Sequence, residues 1–387
     1  MGFGHLRAAH NILGLGNASL ARVDRAPNVS TLDRFVWNSS LYFHTYGSRD
    51  AESRNRILYE WFERLMRIPE DHESPPLTES RFIRRLSQLG IGRLFFESLD
   101  GALPTLLHTF YLHAMLSVYR DYQGKNYLLL CDTDFHRVWV PVNPTRGSLQ
   151  YMVPITKSAD RLISYGVPPR RIHVTGFPLP VANTGGPDLV NLRDDFDARR
   201  ARLKSNSDTP LTVLFPFSGA GAYSNLLSEL VMSMLDEVRE GEVHLVVSCG
   251  DNEHALRSAG KLFRDCGLGD SEFAEILFDG DLFASFDRFN QVLKSTDVII
   301  TKPSEMVFYA ALGIPMLFLP PIGAHEAKNR DYLISSNCAV NLVNLKDFPK
   351  WLKKERREGR LLELAETGME RLPKHGTFAI DELVRSP

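Results

Sequence analysis

The sequence predicts an α/β protein made of two Rossmann-like, doubly wound parallel-sheet domains facing a central cleft. Three observations predict it. Short apolar runs recur along the chain, each emptying into small or polar residues and then into helix-compatible sequence, the pattern of βαβ units. These runs lack the polar alternation of half-exposed strands, as parallel strands covered on both faces do. At 387 residues the chain exceeds one ordinary core and is long enough for two.

In order, the chain opens on Met1-Gly-Phe-Gly-His5, the composition of a glycine loop that should follow a strand. Either that strand lies upstream of Met1 or the likeness to a loop is accidental. In the loop reading Gly2 and Gly4 let the backbone approach a substrate, and His5 reaches it as an acid–base group at the start of a helix over Leu6–Leu13. Gly14-Leu-Gly16 reads as a helix C-cap and turn, and Ala18–Val23 as a short strand. Residues 30–122 read as mostly helical, with apolar stripes over Leu58–Met66 and Leu106–Met115. Strands follow at Asn126–Cys131, Met152–Ile155 and Arg171–Thr175, with a helix over Ala159–Tyr165. The first domain therefore spans 1–180, and the Gly-, Pro- and charge-bearing stretch 181–208 is the interdomain connection.

The second domain, 209–345, is organised around the apolar run Leu211–Phe217 and the small-residue loop Ser218-Gly-Ala-Gly-Ala222, with a helix after it. Such a loop presents backbone N–H groups and a helix N-terminus to an anion. The unit recurs: Val243–Ser248 leads into Cys249-Gly-Asp-Asn252, Asp297–Thr301 into Lys302-Pro-Ser-Glu305, and Pro315–Pro320 into Gly323-Ala-His-Glu326. Ligands of parallel sheets sit beyond the carboxyl ends of the strands, so these four loops should converge on one crevice. Residues 346–387 are C-terminal helices, strongly charged over Trp351–Arg371.

Several residues can carry chemistry there. A lysine at a strand end, as Lys302 is, would be repelled by a helix N-terminus, and a bound phosphate relieves that conflict. Ser304 and Glu305 can cap the helix or contact a ligand, whereas His325 and Glu326 form a polar pair on the crevice side of an apolar neighbourhood. Asp132-Thr-Asp134 has the form of a divalent-metal motif. That three-residue pattern is common by chance and lies in the half opposite the glycine loop, so these carboxylates read as loop caps or substrate-facing groups beside His136, and no metal is expected.

Composition narrows the classes. A net charge of -2 gives no general case for a polyanionic partner, and nucleic acid is excluded as a partner on that ground. The cysteines Cys131, Cys249, Cys266 and Cys338 are widely spaced with no CxxC pair, which reads as reduced, cytoplasmic thiols. No signal peptide opens the sequence, and Ala102–Val118, interrupted by His108 and His113, is too polar for a comfortable membrane span, yet it can lie on a membrane surface.

These residues together resemble the GT-B glycosyltransferases, in the branch of monogalactosyldiacylglycerol synthase and the peptidoglycan lipid-intermediate N-acetylglucosaminyltransferase. Gly2-Phe-Gly-His5 is similar to the family's first glycine loop with its histidine, and Thr133-Asp-Phe-His136 to the synthase Thr-Asp-Leu-His. Ala159–Pro178 resembles the segment closing the first domain. In the second domain Ser218–Ala222 resembles the loop facing the donor diphosphate, Cys249–Asn252 the family's Cys-Gly-x-Asn, Ser295–Lys302 its Ala-Cys-Asp-x-Ile-Ile-Thr-Lys, and Gly323–Asn329 its Gly-x-Glu-x-x-Asn donor loop. The chain departs after Lys302, where Pro303-Ser-Glu-Met306 replaces a Gly-Pro-Gly run, and Glu305 would take the ribose contact.

The resemblance implies an inverting, metal-independent glycosyltransferase using a nucleotide sugar, best matched by a UDP-sugar, with no further cofactor. The donor would be held by Ser218, Gly219, Gly221, Gly250, Asn252, Lys302, Ser304, Glu305, His325, Glu326 and Asn329. His5 or Asp134 would be the base, with His136 beside it, and the acceptor would be a lipid or small molecule reached at the inner face of a membrane. Two rivals remain open: a UDP-sugar 2-epimerase of the same fold, and a binding protein that has lost catalysis.

Overall fold

Apolar runs bounded by turn residues do become parallel strands in the computed structural model. It describes residues 3–16, 29–38, 68, 77–99, 101–217, 224–321, 323–342 and 344–386. The predicted strand at 18–23, the stripe at 58–66, Gly2 and the loop residues Ser218, Gly219 and Gly221 lie outside the described residues. The chain divides into two units, one of Met1–Pro178, Gly323–Asn329 and His375–Pro387, the other of Leu179–Ile322 and Arg330–Lys374.

The first unit carries a four-stranded parallel sheet in the order β1-β2-β3-β4, from Leu106–His108, Asn126–Leu129, Gln150–Val153 and Ile172–Val174. Leu106–His108 corrects the expectation of one helical stripe from Leu106 to Met115. It pairs with β2, His108 Nε2 meets Asn126 Oδ1 at 2.9 Å, and the helix begins only at Tyr111, running to Tyr119. A short apolar run does not distinguish strand from helix, and here pairing decides. Leu128, Leu130 and Val153 meet Met115, Leu116 and Leu162 in the main core, each such burial stabilising by roughly 1.5–3 kcal/mol.

On the other face Leu129, Cys131 and Met152 pack with Ala8 and Ile12 of the helix Phe3–Leu13 and with Ile380 of the helix Gly376–Arg385. Tyr127 OH donates to Leu383 O at 3.1 Å. Gly376 permits this docking, because a methyl group there would collide with the carbonyls of Gly176 and Phe177.

The second unit carries six parallel strands in the order β10-β9-β8-β5-β6-β7. They are β5 Leu211–Pro216, β6 Val243–Gly250, β7 Ala274–Phe278, β8 Val298–Thr301, β9 Met316–Phe318 and β10 Ala339–Asn341. β8 is buried at all four positions and β5 at five of six, which is why neither alternates. The sheet grows from β5 through β6 to β7 on one side and through β8 to β10 on the other, so the strand order reverses beside β5.

The stretch 181–208 is not a free connection, which corrects its reading as a linker. It forms the helices Val181–Thr184 and Val190–Leu203 within the second unit. Arg199, fully buried, donates to the carbonyls of Thr296 at 2.6 Å, Leu312 at 2.8 Å and Leu293 at 2.8 Å. Its charge made the stretch look solvated, and three carbonyls satisfy that charge inside.

Candidate functional site

The strand ends of the second unit line up. Leu214 is in register with Ile299, so β5 and β8 finish together at Pro216 and Thr301. Pro216 is level with Ser248, and Thr301 with Phe318. Phe217, Lys302 and Leu319 therefore leave their strands side by side, level with Cys249 near the end of β6, at the reversal of strand order where open parallel sheets bind ligands.

Lys302 is half-buried at the end of β8. The α-helix expected after it is a 3-10 helix, Glu305–Leu312. From Val307 to Leu312 every residue is buried, so the segment is held by packing on all sides and not by an amphipathic face. Ser304 stands at its N-cap position, 4% exposed, and its side chain makes no capping hydrogen bond. The hydroxyl that capping would have explained is left for another partner.

Asn252 is different: its side chain accepts from His254 N at 3.0 Å and Ala255 N at 3.1 Å, capping the helix Glu253–Asp265. That oxygen is engaged in holding the helix N-terminus. Gly250 has φ 58°, where only glycine turns without strain, and it ends β6 at a shift of register against β7.

In the first unit Gly4 and His5 lie inside the helix Phe3–Leu13, so Gly4 belongs to a helix and not to a loop. The His5 ring packs 5.6 Å from Phe110 and 5.5 Å from Trp139. Asp134 is fully buried, with Arg161 Nε on Oδ1 at 2.7 Å, Nη2 on Oδ2 at 2.9 Å and Phe135 N on Oδ1 at 2.9 Å. This bidentate pair engages both carboxylate oxygens of Asp134 inside the first unit. His136, 3% exposed, precedes the 3-10 helix Arg137–Trp139.

Asn329 does something the sequence did not indicate. Its Oδ1 accepts from Thr133 N and Thr133 Oγ1, both at 2.8 Å, and its Nδ2 donates to Asp132 Oδ1 at 2.8 Å. A residue expected at the donor instead holds the Asp132–Asp134 loop, which Ser158 Oγ also supports through Thr133 O at 2.8 Å. With Asp132 on Asn329 and Asp134 on Arg161, the two carboxylates have separate partners, and among the described residues no three His, Cys, Asp or Glu gather as metal ligands. Half-buried His325 and 3%-exposed Glu326 share the first turn of the helix Ala324–Ser335.

Sequence reasoning passed over Glu79, in the first turn of the helix Thr78–Gln88. Burial pushes its carboxyl up to about 7. No motif surrounds it, and only the fold creates its environment.

Residues 187–274 and 261–333 match a domain of unknown function, DUF6938. The chain is 23% identical over 207 residues to the processive diacylglycerol beta-glucosyltransferase of Staphylococcus saprophyticus, covering 53% of this chain and 46% of that protein. The chain thus spans about half the length of the curated relatives it matches. Among solved structures, a putative UDP-N-acetylglucosamine 2-epimerase from Listeria monocytogenes aligns with TM-score 0.49 at 13% identity, over 82% of this chain and 80% of that one. Acinetobacter baumannii MurG aligns with TM-score 0.45 at 14% identity, over 80% and 77%. The likeness to glycolipid glycosyltransferases read from the motifs is shared by the diacylglycerol relatives.

Proposed function

We propose that this chain is an inverting glycosyltransferase that moves a sugar from a UDP-sugar to a lipid hydroxyl. The carrying observation is the alignment of the β5, β6, β8 and β9 ends, with Lys302 and the uncapped Ser304 at the reversal of strand order. The diacylglycerol beta-glucosyltransferase relatives support a glucosyl group as the one moved and a lipid as its acceptor.

In this reading Lys302 and the backbone of the 218–222 loop hold the diphosphate and stabilise the charge it gains on leaving. The acceptor oxygen attacks the anomeric carbon from the face opposite that bond, which inverts the centre. The first unit presents the acceptor beside His5 and His136. Glu326 and His325 remain candidates for the sugar, and Glu305 for the ribose. No metal is needed, since the anion is held by amides and a lysine.

Peripheral contact with an anionic membrane accords with the outer face of the helix Thr78–Gln88. Phe82 and Leu89 are 59% and 74% exposed there, among exposed Arg81, Arg84, Arg85 and Arg93. No helix among the described residues is long and apolar enough to cross a membrane.

The test is thermal unfolding with UDP. Saturation to about 100 times the dissociation constant stabilises by about 2.7 kcal/mol, and the shift should persist with a chelator present. Lys302→Ala should weaken UDP far more than uridine. An unmoved melting temperature sinks the donor reading, equal losses for both ligands remove Lys302 from the phosphate, and loss of the shift in chelator brings back a metal. UDP release from UDP-glucose that requires an added hydroxyl acceptor separates transfer from 2-epimerisation.

A further inference from the structure

Helix 31–38 is pinned to the turn that precedes the helix Arg93–Glu97. Buried Asp33 accepts from Gly92 N at 2.6 Å through Oδ1 and from Ser30 N at 3.1 Å through Oδ2, while Ser30 Oγ accepts from Asp33 N at 3.0 Å. The reciprocal pair starts the helix, and the Gly92 bond fixes where it lies. Val36, Trp37 and Phe95 then pack against the core that holds Ile91, Leu112 and Leu116.

These six side chains wall a crevice between helix 31–38, the helix Arg93–Glu97 and the helix Tyr111–Tyr119. It leaves about 300 Å³ of space, part of it open to solvent, so a ligand would lie along it and not be enclosed in it. The polar side chains on the lining are Asp33 and His113. Asp33 is bonded to Gly92 and Ser30, and the His113 ring lies 4.6 Å from that of Trp37 and 6.2 Å from that of Phe95, where burial disfavours its cation. A sugar or an extended peptide would leave hydrogen-bonding groups unmet against such walls, a cost that a hydrocarbon escapes.

Outside the crevice the same two helices carry large apolar side chains in water: Leu32 and Phe35 are 51% and 67% exposed, and Leu94 is 44% exposed. Arg34 and Arg93, exposed beside them in sequence, match the charge of an anionic bilayer. Phe82 and Leu89 of the neighbouring helix continue this outward apolar set. Inward, the Trp37 ring lies 6.3 Å from Phe110, and Phe110 lies 5.6 Å from His5. Apolar side chains therefore follow one another from that surface to the histidine beside which the acceptor is placed.

We propose that this crevice seats one acyl chain of the lipid acceptor, with the hydroxyl end of the lipid toward His5. The assignment rests on the lipid-acceptor reading above. A chain is narrow and needs no hydrogen-bond partner, and each methylene it removes from water raises affinity about fourfold, from ~0.8 kcal/mol. The enzyme should accordingly discriminate among acceptors by chain length.

The experiment photolabels the full chain with a diacylglycerol carrying a diazirine in its acyl chain, in phosphatidylglycerol vesicles, and reads the adducts by peptide mass spectrometry. Adducts on 29–37, 91–95 and 112–116 that dioleoylglycerol competes away are the expected result. Adducts confined to Phe82, Leu89 and other outward side chains, or indifferent to dioleoylglycerol, would mean contact with the bilayer alone and overturn the site. Crosslinks joining helix 31–38 of two copies would put a second copy there and overturn it too. UDP release from UDP-glucose then compares dibutyrylglycerol with dioctanoylglycerol. The wild-type kcat/KM should be at least about 10²-fold higher for the longer chains, from four more methylenes in the seated chain. Val36→Phe, which fills the crevice, should cut that ratio at least about tenfold and keep the UDP-dependent thermal shift. An unchanged ratio in a Val36→Phe protein of wild-type melting temperature overturns the proposal, and if that variant unfolds early the labelling of the wild type decides. Transfer to dioctanoylglycerol with no adduct in the crevice sinks the acyl site and leaves the transferase reading standing. A labelled crevice with no glycerol glucosylated sinks the acceptor reading, and the seated chain is then not an acceptor's.

Discussion

Asp134 and Glu79 are chemically near-identical carboxylates with opposite fates, decided by which cation reaches them. Arg161 is 27 residues from Asp134 and occupies both its oxygens, whereas Glu79 has no such neighbour among the described residues. A motif names the residue type and is silent about its partner, so the sequence selected Asp134 and passed over Glu79. The same logic governs His113, whose ring lies 4.6 Å from Trp37 in enclosed surroundings. Burial, and secondarily His108, hold it down to about 3 against the pull of Asp33. As pH falls below about 6.5 the unfolded chain takes up a proton that the folded one refuses. The stability of the neutral ring is thus complete above that pH and is lost as pH falls towards 3. His113→Phe keeps the ring contact and removes the proton, so its stability curve should be flatter, recovering about 2 kcal/mol of the wild-type loss between pH 7 and pH 5. Urea midpoints at the two pH values measure this, and an unchanged difference would show that His113 is not held neutral.

Among elements, those buried on both sides were the legible ones. β2, β3, β5, β6, β8 and β9 could be read from their mostly apolar runs. Three-residue β1 merged with the helix after it, and the segment 181–203 was mistaken for a linker because Arg199 finds its partners 94 to 113 residues away. Of the candidate site, the strand-end residues were legible because topology puts every loop after a parallel strand on one edge. Asn252 and Asn329 were legible as polar positions only, since a cap and a loop brace look alike in sequence. Asn329→Leu tests the brace: it leaves Thr133 N–H and the Asp132 carboxylate buried without their partner. At about 1–3 kcal/mol for each such group, the loss should be at least about 2 kcal/mol in urea unfolding. A loss within a few tenths of a kcal/mol would mean that the Asp132–Asp134 loop does not depend on Asn329.

For the whole molecule, net charge misdirects. A formal charge of -2 makes no case for attraction to an anionic surface, yet Arg81, Arg84, Arg85 and Arg93 face solvent around exposed Phe82 and Leu89. In the sequence they alternate with Ser80, Ile83 and Ser87, which the helix turns inward, so only folding collects them on one side. The apolar pair among them favours a bilayer over nucleic acid, because a phenylalanine and a leucine gain by entering the acyl boundary and gain nothing at a phosphate backbone. Each arginine near an anionic bilayer contributes about 1 kcal/mol. Replacing Arg81, Arg84 and Arg85 with Glu together should therefore lower partitioning to phosphatidylglycerol vesicles by at least about 10²-fold, from roughly 3 kcal/mol lost. Phe82→Ser should weaken binding while preserving its salt dependence, since the charges remain, whereas the triple variant should lose that dependence. Sedimentation with vesicles at low and physiological salt reads both effects. Equal binding of the wild type to neutral and anionic vesicles, or undiminished binding by the triple variant, would place the membrane contact elsewhere or remove it. UDP-induced stabilisation should survive in every variant, because Lys302 and the strand ends belong to the other unit.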